Sequence, residues 1–313
     1  MKANSALALA LGLALLLLLP GCSTTNHAVG APAIGKPSSS AALEKLLMQP
    51  GPVELESVNS ADWSGPLAGL VNLRNPAAVE AGLNNREEPI QVYAHVLKHP
   101  QRGNFLVDTG IAQKLHDNPR EAGMSWLMVK VARLDRLTLK KSTAAIVRDL
   151  PGKLSGIFFT HLHFDHITGM PDIANDVPLY IGRTEASDKY WLNVFVQGSA
   201  DRLLANKPQL QEWDFQPDPQ ARLEGLMDVF EDGSVFAISV PGHTAGSTAY
   251  LVRTPQGPVL LTGDTSHTRW GWDNSVEPGA FTHNQERNRK SLLQLKDLVK
   301  RYPNITVRVG HQP

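Results

Sequence analysis

Cysteine is almost absent: the 313-residue chain contains one. A single thiol excludes an intramolecular disulfide and any zinc site built from several thiolates. An excess of either charge is missing too. Lys+Arg and Asp+Glu both count 30, so the formal net charge is +0. A nucleic-acid partner is therefore not expected, because a chain that binds phosphate backbones carries a basic excess. No internal repeat of about 20–50 residues is visible. No apolar run reaches the roughly 20 residues that a membrane-spanning helix needs. What is present is a globular composition, 42% hydrophobic and 19% charged, on a chain long enough to bury a core without staples. Histidine, at 11 residues, is the type whose placement carries the functional signal.

The N-terminus reads as an address. After the basic start Met1–Lys2, the run Ala6–Leu19 is about 14 residues of Ala and Leu with one Gly, the length of a secretory h-region. Leu19–Pro20–Gly21–Cys22 follows and resembles a bacterial lipobox, with the single cysteine at the lipidated position. The expected organisation is a lipoprotein signal peptide over 1–21 and a flexible tether over 22–50, richest in Ser, Thr, Gly, Ala and Pro from Ser23 to about Ala41. A catalytic domain over 51–313 completes it. Lipid on Cys22 implies export to the cell envelope and membrane attachment. Ser23 after the cysteine resembles the outer-membrane form, facing the periplasm, in a Gram-negative cell.

Strands are predicted at Ile90–Leu97, Asn104–Val107, Gly156–Phe159, Pro178–Ile181, Ser234–Val240, Thr248–Val252, Val259–Thr262 and Ile305–Val309. Helices are predicted at Ser142–Asp149 and Gln285–Tyr302, the second with Leu292, Leu295 and Val299 on one face and Thr282 with Gln285 as a capping box. Directly after the strand Gly156–Phe159 comes Thr160–His161–Leu162–His163–Phe164–Asp165–His166. Alternate residues of an extended segment point the same way, so His161 and His163 can share one ion. Asp165 and His166, past a bend, can reach a second. Three further strand exits carry a ligand-capable residue beside a glycine: Pro241–Gly242–His243, Gly263–Asp264 and Gly310–His311. Imidazole nitrogen with carboxylate oxygen suits zinc, and also iron, cobalt or manganese.

In this order, the motifs resemble the metallo-β-lactamase superfamily from about Gln91 to His311. The resemblance implies an α/β fold, an αβ/βα four-layer sandwich of two mixed β-sheets flanked by helices, with two divalent metal ions at one edge. It assigns His161, His163 and His243 to the first metal, and Asp165, His166 and His311 to the second. Asp264 bridges both, and Asp108 in Phe105–Gly110 is a structural residue that supports the ligands. The presence of Asp264 and the lack of a cysteine ligand point away from the true β-lactamases.

The layout is most similar to the N-acyl-homoserine lactonases. That branch implies a lactone- or ester-opening hydrolase acting by attack of a metal-bridging hydroxide on a small-molecule lactone, ester or thioester. Asp165 and Asp264 would serve it as catalytic residues. His267 stands where several lactonases place a tyrosine, and is expected to hydrogen-bond the substrate in its stead. Trp270, Trp272 and Phe281 are candidates for an apolar pocket wall, and Met124 and Trp126 for a lid. A glyoxalase II-like thioesterase, a mononuclear-iron persulfide dioxygenase-like enzyme and a non-catalytic binding protein are the alternatives, and the oligomeric state stays open.

Overall fold

The computed structural model describes residues 21–313. The expected signal peptide, apart from Gly21, lies outside the described residues. One sheet contains β1 (Val29–Gly30), β3 (Glu54–Pro66), β4 (Glu87–His99), β5 (Gly103–Val107), β6 (Thr138–Leu139), β7 (Leu154–Phe158), β8 (Leu179–Ile181) and β9 (Leu210–Glu212), ordered β1-β9-β8-β7-β5-β4-β3-β6. The other contains β2 (Lys36–Ser38), β10 (Leu226–Asp228), β11 (Val235–Ser239), β12 (Thr248–Thr254), β13 (Gly257–Leu261) and β14 (Thr306–Arg308), ordered β14-β13-β12-β11-β10-β2. Both sheets are mixed: β5-β7-β8-β9 run parallel and β3-β4-β5 antiparallel, while β13-β14 is parallel and β10-β11-β12-β13 antiparallel.

The period-two alternation of the strands builds the layers. In β11, Val235 and Ala237 face the space between the sheets, and Phe236 and Ile238 face outward. β12 repeats this with Tyr250 and Val252 inward and Ala249 and Leu251 outward. The inner layer joins Phe158, Tyr180 and Trp213 of one sheet to Met227, Tyr250 and Leu261 of the other. On the outside of the second sheet lie Leu292, Leu295 and Leu298 of the helix Gln285–Arg301. On the outside of the first lie Leu115, Met128, Ile146 and Leu203, carried by four helices. Two buried faces per strand explain the near-continuous apolar runs. Full burial of each large side chain contributes about 1.5–3 kcal/mol.

All the strands predicted from sequence are present within three residues at each end, as are both predicted helices. Three expectations are corrected. Residues 22–50 do not form a flexible tether. Within them β1 pairs with β9 and β2 pairs with β10, and Leu43 and Leu47 are completely buried in the second sheet's outer core. Backbone pairing needs no apolar side chains, so a Ser/Gly/Pro-rich composition does not prevent it. The helix at Gln285 is capped by Asn284, which accepts from Arg287 N, and not by Thr282. Trp272 is buried against Leu292 and Leu295 as core, and Met124 is core as well, so neither lines an open pocket.

Candidate metal centre

The chain leaves β7, β11, β13 and β14 at one edge of the sandwich, and each exit delivers a side chain to the same place. After β7, His163 has extended backbone, φ −63° and ψ 151°, and caps the start of the short helix Phe164–Ile167. That bend turns Asp165 and His166 away from His161 and His163. Gly310 has no Cβ for a steric reason: a Cβ there would collide with Asp264 Oδ1. Gly242 sits at φ 143°, where a side chain would also strike the backbone of Asn288.

His161, His163 and His243 form one group of converging ligand atoms, and Asp165, His166, Asp264 and His311 form another. In the first group His243 Nε2 lies 2.8 Å from His163 Nδ1 and 3.1 Å from His161 Nε2. In the second, His311 Nε2 lies 3.4 Å from Asp165 Oδ2 and 3.2 Å from Asp264 Oδ1. Asp264 Oδ2 stands 3.4 Å from both His243 Nε2 and His166 Nε2, so this carboxylate faces both groups. The structure thus brings all the expected ligand residues together. His267 joins them: its Nε2 is 3.1 Å from Asp264 Oδ2, and the side chain is buried. Phe281, 46% exposed, lies at the rim with its ring 6.4 Å from that of His267. Cys22, expected to carry lipid, is far along the chain from these residues and forms a β-bridge with Tyr190.

The electrostatics of the groups differ. Burial, reinforced by the neighbouring imidazoles, drives His161 and His243 well below the ordinary histidine range, and burial pushes His163 down to about 4. Burial pulls on His166 and His311 as well, but carboxylates outweigh it. Asp108, Asp264 and Asp165 hold His166 well above its usual value, and Asp264 and Asp165 raise His311 to about 9. Burial would raise the Asp264 carboxyl, yet His311, His267 and His166 hold it well below the carboxylate range.

Nitrogens of three neutral imidazoles converge in the first group, and each ring has a lone pair that it can offer to a cation. His166 Nε2 and Asp264 Oδ1 are buried without a hydrogen-bond partner. Orphaned donors and acceptors of this kind, on a nitrogen–oxygen donor set, fit divalent metal ions.

Further residues orient these side chains. Asp108 Oδ2 is 2.7 Å from His166 Nδ1, and the same carboxylate accepts from Thr160 N and Thr160 Oγ1. Asp108 holds a left-handed backbone, φ 56°, which costs a non-glycine residue energy that these bonds offset. The Gln91 carbonyl lies 2.8 Å from His311 Nδ1, and Thr282 Oγ1 lies 3.2 Å from His243 Nδ1. Sequence reasoning missed Glu185. Its buried carboxylate accepts from Leu162 N at 2.7 Å, Thr244 Oγ1 at 2.6 Å and Gly246 N at 3.0 Å, tying the His161–His163 loop to the His243 loop. Burial raises its pKa against those three bonds. Nothing in Arg183–Thr184–Glu185–Ala186 has a spacing that marks it.

Known proteins are similar to this chain. The N-acyl homoserine lactonase AttM of Azorhizobium caulinodans is 27% identical over 233 residues, which cover 74% of this chain and 85% of that protein. The N-acyl homoserine lactonase AiiA of Bacillus thuringiensis subsp. kurstaki is 26% identical over 216 residues, covering 68% of this chain and 78% of its own. Among solved structures, a quorum-quenching N-acyl homoserine lactone lactonase has a TM-score of 0.56 at 20% identity, covering 84% of this chain and 93% of its own. AidC, a dizinc quorum-quenching lactonase, has a TM-score of 0.53 at 15% identity, covering 90% and 92%. These superpositions show the shared fold. The family description metallo-beta-lactamase superfamily matches residues 88–311, a span that includes every converging ligand. On that match, and on two sheets that deliver their strand ends to one cluster of imidazoles and carboxylates, the chain belongs to the metallo-β-lactamase superfamily.

Proposed function

We propose that this chain is a dinuclear-metal hydrolase that opens lactone rings, with N-acyl-homoserine lactones as its substrate class. The observation that carries this reading is the convergence of His161, His163 and His243 beside Asp165, His166, Asp264 and His311, with Asp264 facing both groups. The curated relatives named N-acyl homoserine lactonase, 26–27% identical over most of the chain, support it.

His161, His163 and His243 would hold one ion; Asp165, His166 and His311 would hold the other, with Asp264 between them. Zinc is the ion proposed. Bound there, two such ions supply Lewis acidity and lower the pKa of water towards about 7. The chain's own groups do the rest. Asp264 stays ionised because the His311, His267 and His166 imidazoles surround it, so its carboxylate can accept a hydrogen bond from water and hold it in the centre. Asp165 offers a second carboxylate on the same side, 3.4 Å from His311 Nε2. His267 presents Nε2 beside Asp264 and would donate to the carbonyl or leaving oxygen of the substrate. A cleft of about 630 Å³ opens beside His311 between Trp63, Pro89 and Ile90, and offers apolar surface to an acyl chain.

The proposal includes the address: export, lipid on Cys22 and attachment to the outer membrane on the periplasmic side of a Gram-negative cell. Its support is the apolar run Ala6–Leu19 followed by Leu19–Pro20–Gly21–Cys22.

The test is proton release by the zinc-loaded full chain on adding a long-chain N-acyl-homoserine lactone, with a glutathione thioester and a cephalosporin in parallel. Rapid acid release with the lactone, and little with the others, is expected. Turnover of the thioester alone would overturn the lactonase reading and leave the hydrolase. Oxygen uptake by an iron-loaded sample that is inert to all three would overturn hydrolysis itself.

A further inference from the structure

Trp191, Val194 and Phe195 are large apolar side chains exposed by 55%, 56% and 45% within five consecutive residues. They lie at the start of the helix Asn193–Leu203 and in the turn before it. The neighbouring helix Trp126–Val131 meets this one where Ser125 N donates to Ser199 Oγ, and brings the exposed Trp126. An exposed cluster of this kind on a globular chain marks a contact surface.

The N-terminal segment runs beside it. The Cys22 carbonyl accepts from Tyr190 N at 3.2 Å and Asn193 Nδ2 at 3.1 Å. Gln197 Nε2 donates to the Ser23 carbonyl at 2.9 Å, and Asp201 accepts from Asn26 N at 2.7 Å. Residues 22–26 are therefore strapped along this same helix. Cys22, the residue proposed to carry the lipid, thus sits at the edge of the apolar cluster. A loose tether would leave the orientation of the body free; this strap fixes it.

We propose that Trp191, Val194 and Phe195 rest in the lipid surface, so that the membrane-attached body lies on the bilayer by this one face. The inference rests on the proposal that the N-terminal segment attaches the chain to a membrane. Aromatic side chains favour the interfacial zone, and the exposed Lys189 beside them suits headgroup phosphates. The face also adjoins the metal centre. Tyr190 stacks on His283 with ring centroids 3.9 Å apart, and His283 N donates to the His243 carbonyl at 3.0 Å. A substrate whose acyl chain dissolves in the bilayer would thus meet the rim of the centre from the lipid side.

The test uses the full chain in phosphatidylcholine vesicles, with and without bromine on the acyl chains, which quenches tryptophan in contact with lipid. Flotation reports attachment and quenching reports contact. Wild type should float and be quenched. Trp191→Phe should float equally and lose about half or more of the quenched emission. Val194→Asp with Phe195→Asp should float and lose quenching, with metal content unchanged as the check on folding. A chain that floats unquenched, or a Trp191→Phe variant quenched like wild type, overturns this inference alone. A chain that does not float overturns membrane attachment with it. A doubled mass in detergent, with Trp191 shielded from aqueous acrylamide and unquenched by bromolipid, would assign the face to a second copy and overturn the proposal.

Discussion

The group formed by His161, His163 and His243 contains no carboxylate, and all three imidazoles are driven below the ordinary histidine range. The group formed by Asp165, His166, Asp264 and His311 sits at the same sheet edge in the same degree of burial, yet its two imidazoles are raised. Burial penalises charge in both places. What differs is the carboxylates, which make protons welcome on His166 and His311 in the absence of metal. The all-imidazole half is neutral, with His243 Nε2 2.8 Å from His163 Nδ1 and 3.1 Å from His161 Nε2, so a cation entering it meets no imidazolium charge. The mixed half is balanced by its own ion pairs, and a metal ion must displace protons to enter.

The Asp264 carboxylate faces both halves, and removing it should erase the comparison. Asp264→Ala is expected to lower lactone turnover by about 10³-fold or more and to leave at most one tightly held metal. Steady-state kinetics beside elemental analysis would measure both. Normal turnover with two metals bound would show that the halves work without their shared carboxylate.

A pair of substitutions should separate the halves. Glu185→Gln replaces one carboxylate oxygen by an amide NH₂, facing either Leu162 N or the Thr244 hydroxyl and Gly246 N that now donate, and so loosens the loops of the all-imidazole half. Asp108→Asn removes the charge that orients His166 in the mixed half. Each should weaken metal binding in its own half by about 10–100-fold and spare the other. Competition with a graded chelator series, with cobalt absorption to tell the halves apart, would measure this. Loss of both metals together from either variant would make the centre a single cooperative unit.

These supports also mark where the sequence stops being readable. His161, His163, His243, Asp264 and His311 were legible because each follows an apolar strand and, in most cases, neighbours a glycine. Glu185 was not, because a single glutamate on a turn has no period or spacing; only the three donors that surround it reveal its role. The eight predicted strands were legible from their apolar runs, whereas β3, 13 residues long, was not: Glu54–Pro66 alternates polar residues through Ser, Asn and Asp and lacks such a run. Residues 22–50 misled for the opposite reason. Their small polar composition suits a tether, but the pairing of β1 and β2 depends on backbone groups, and just Leu43 and Leu47 are needed to seal the segment.

A smaller effect concerns substrate contact alone. His267 lies next to Asp264 and outside both sets of proposed ligands, so His267→Phe should keep both metals and lower kcat by about 10-fold, the value of one hydrogen bond to a charged group. Loss of metal in this variant would place His267 among the ligands.

A last effect, on stability and not on turnover, isolates burial from carboxylate pairing. His95 lies behind the mixed half, lining a small cavity with Asp108 and His166, but its Nδ1 meets Ser57 Oγ at 2.8 Å and no carboxylate. Burial lowers its pKa from 6.5 to about 4, partly opposed by Asp108. The unfolded chain takes up this proton near pH 6.5 and the folded chain does not until about 4. Folding stability should therefore fall as pH drops through that window, by at most about 3 kcal/mol from this residue. Denaturant unfolding at pH 7 and 4.5 should show a shallower loss in His95→Gln, once the lower baseline stability of the variant is subtracted. An identical slope would mean that burial does not set the protonation of this region.

The most direct test of the whole account is a stepwise zinc titration of the metal-free full chain, with N-acyl-homoserine lactone opening followed at every step. The account predicts little turnover through the first equivalent and a steep rise through the second, when both halves fill. Full turnover with one equivalent bound, or two equivalents bound and the lactone untouched, would contradict it.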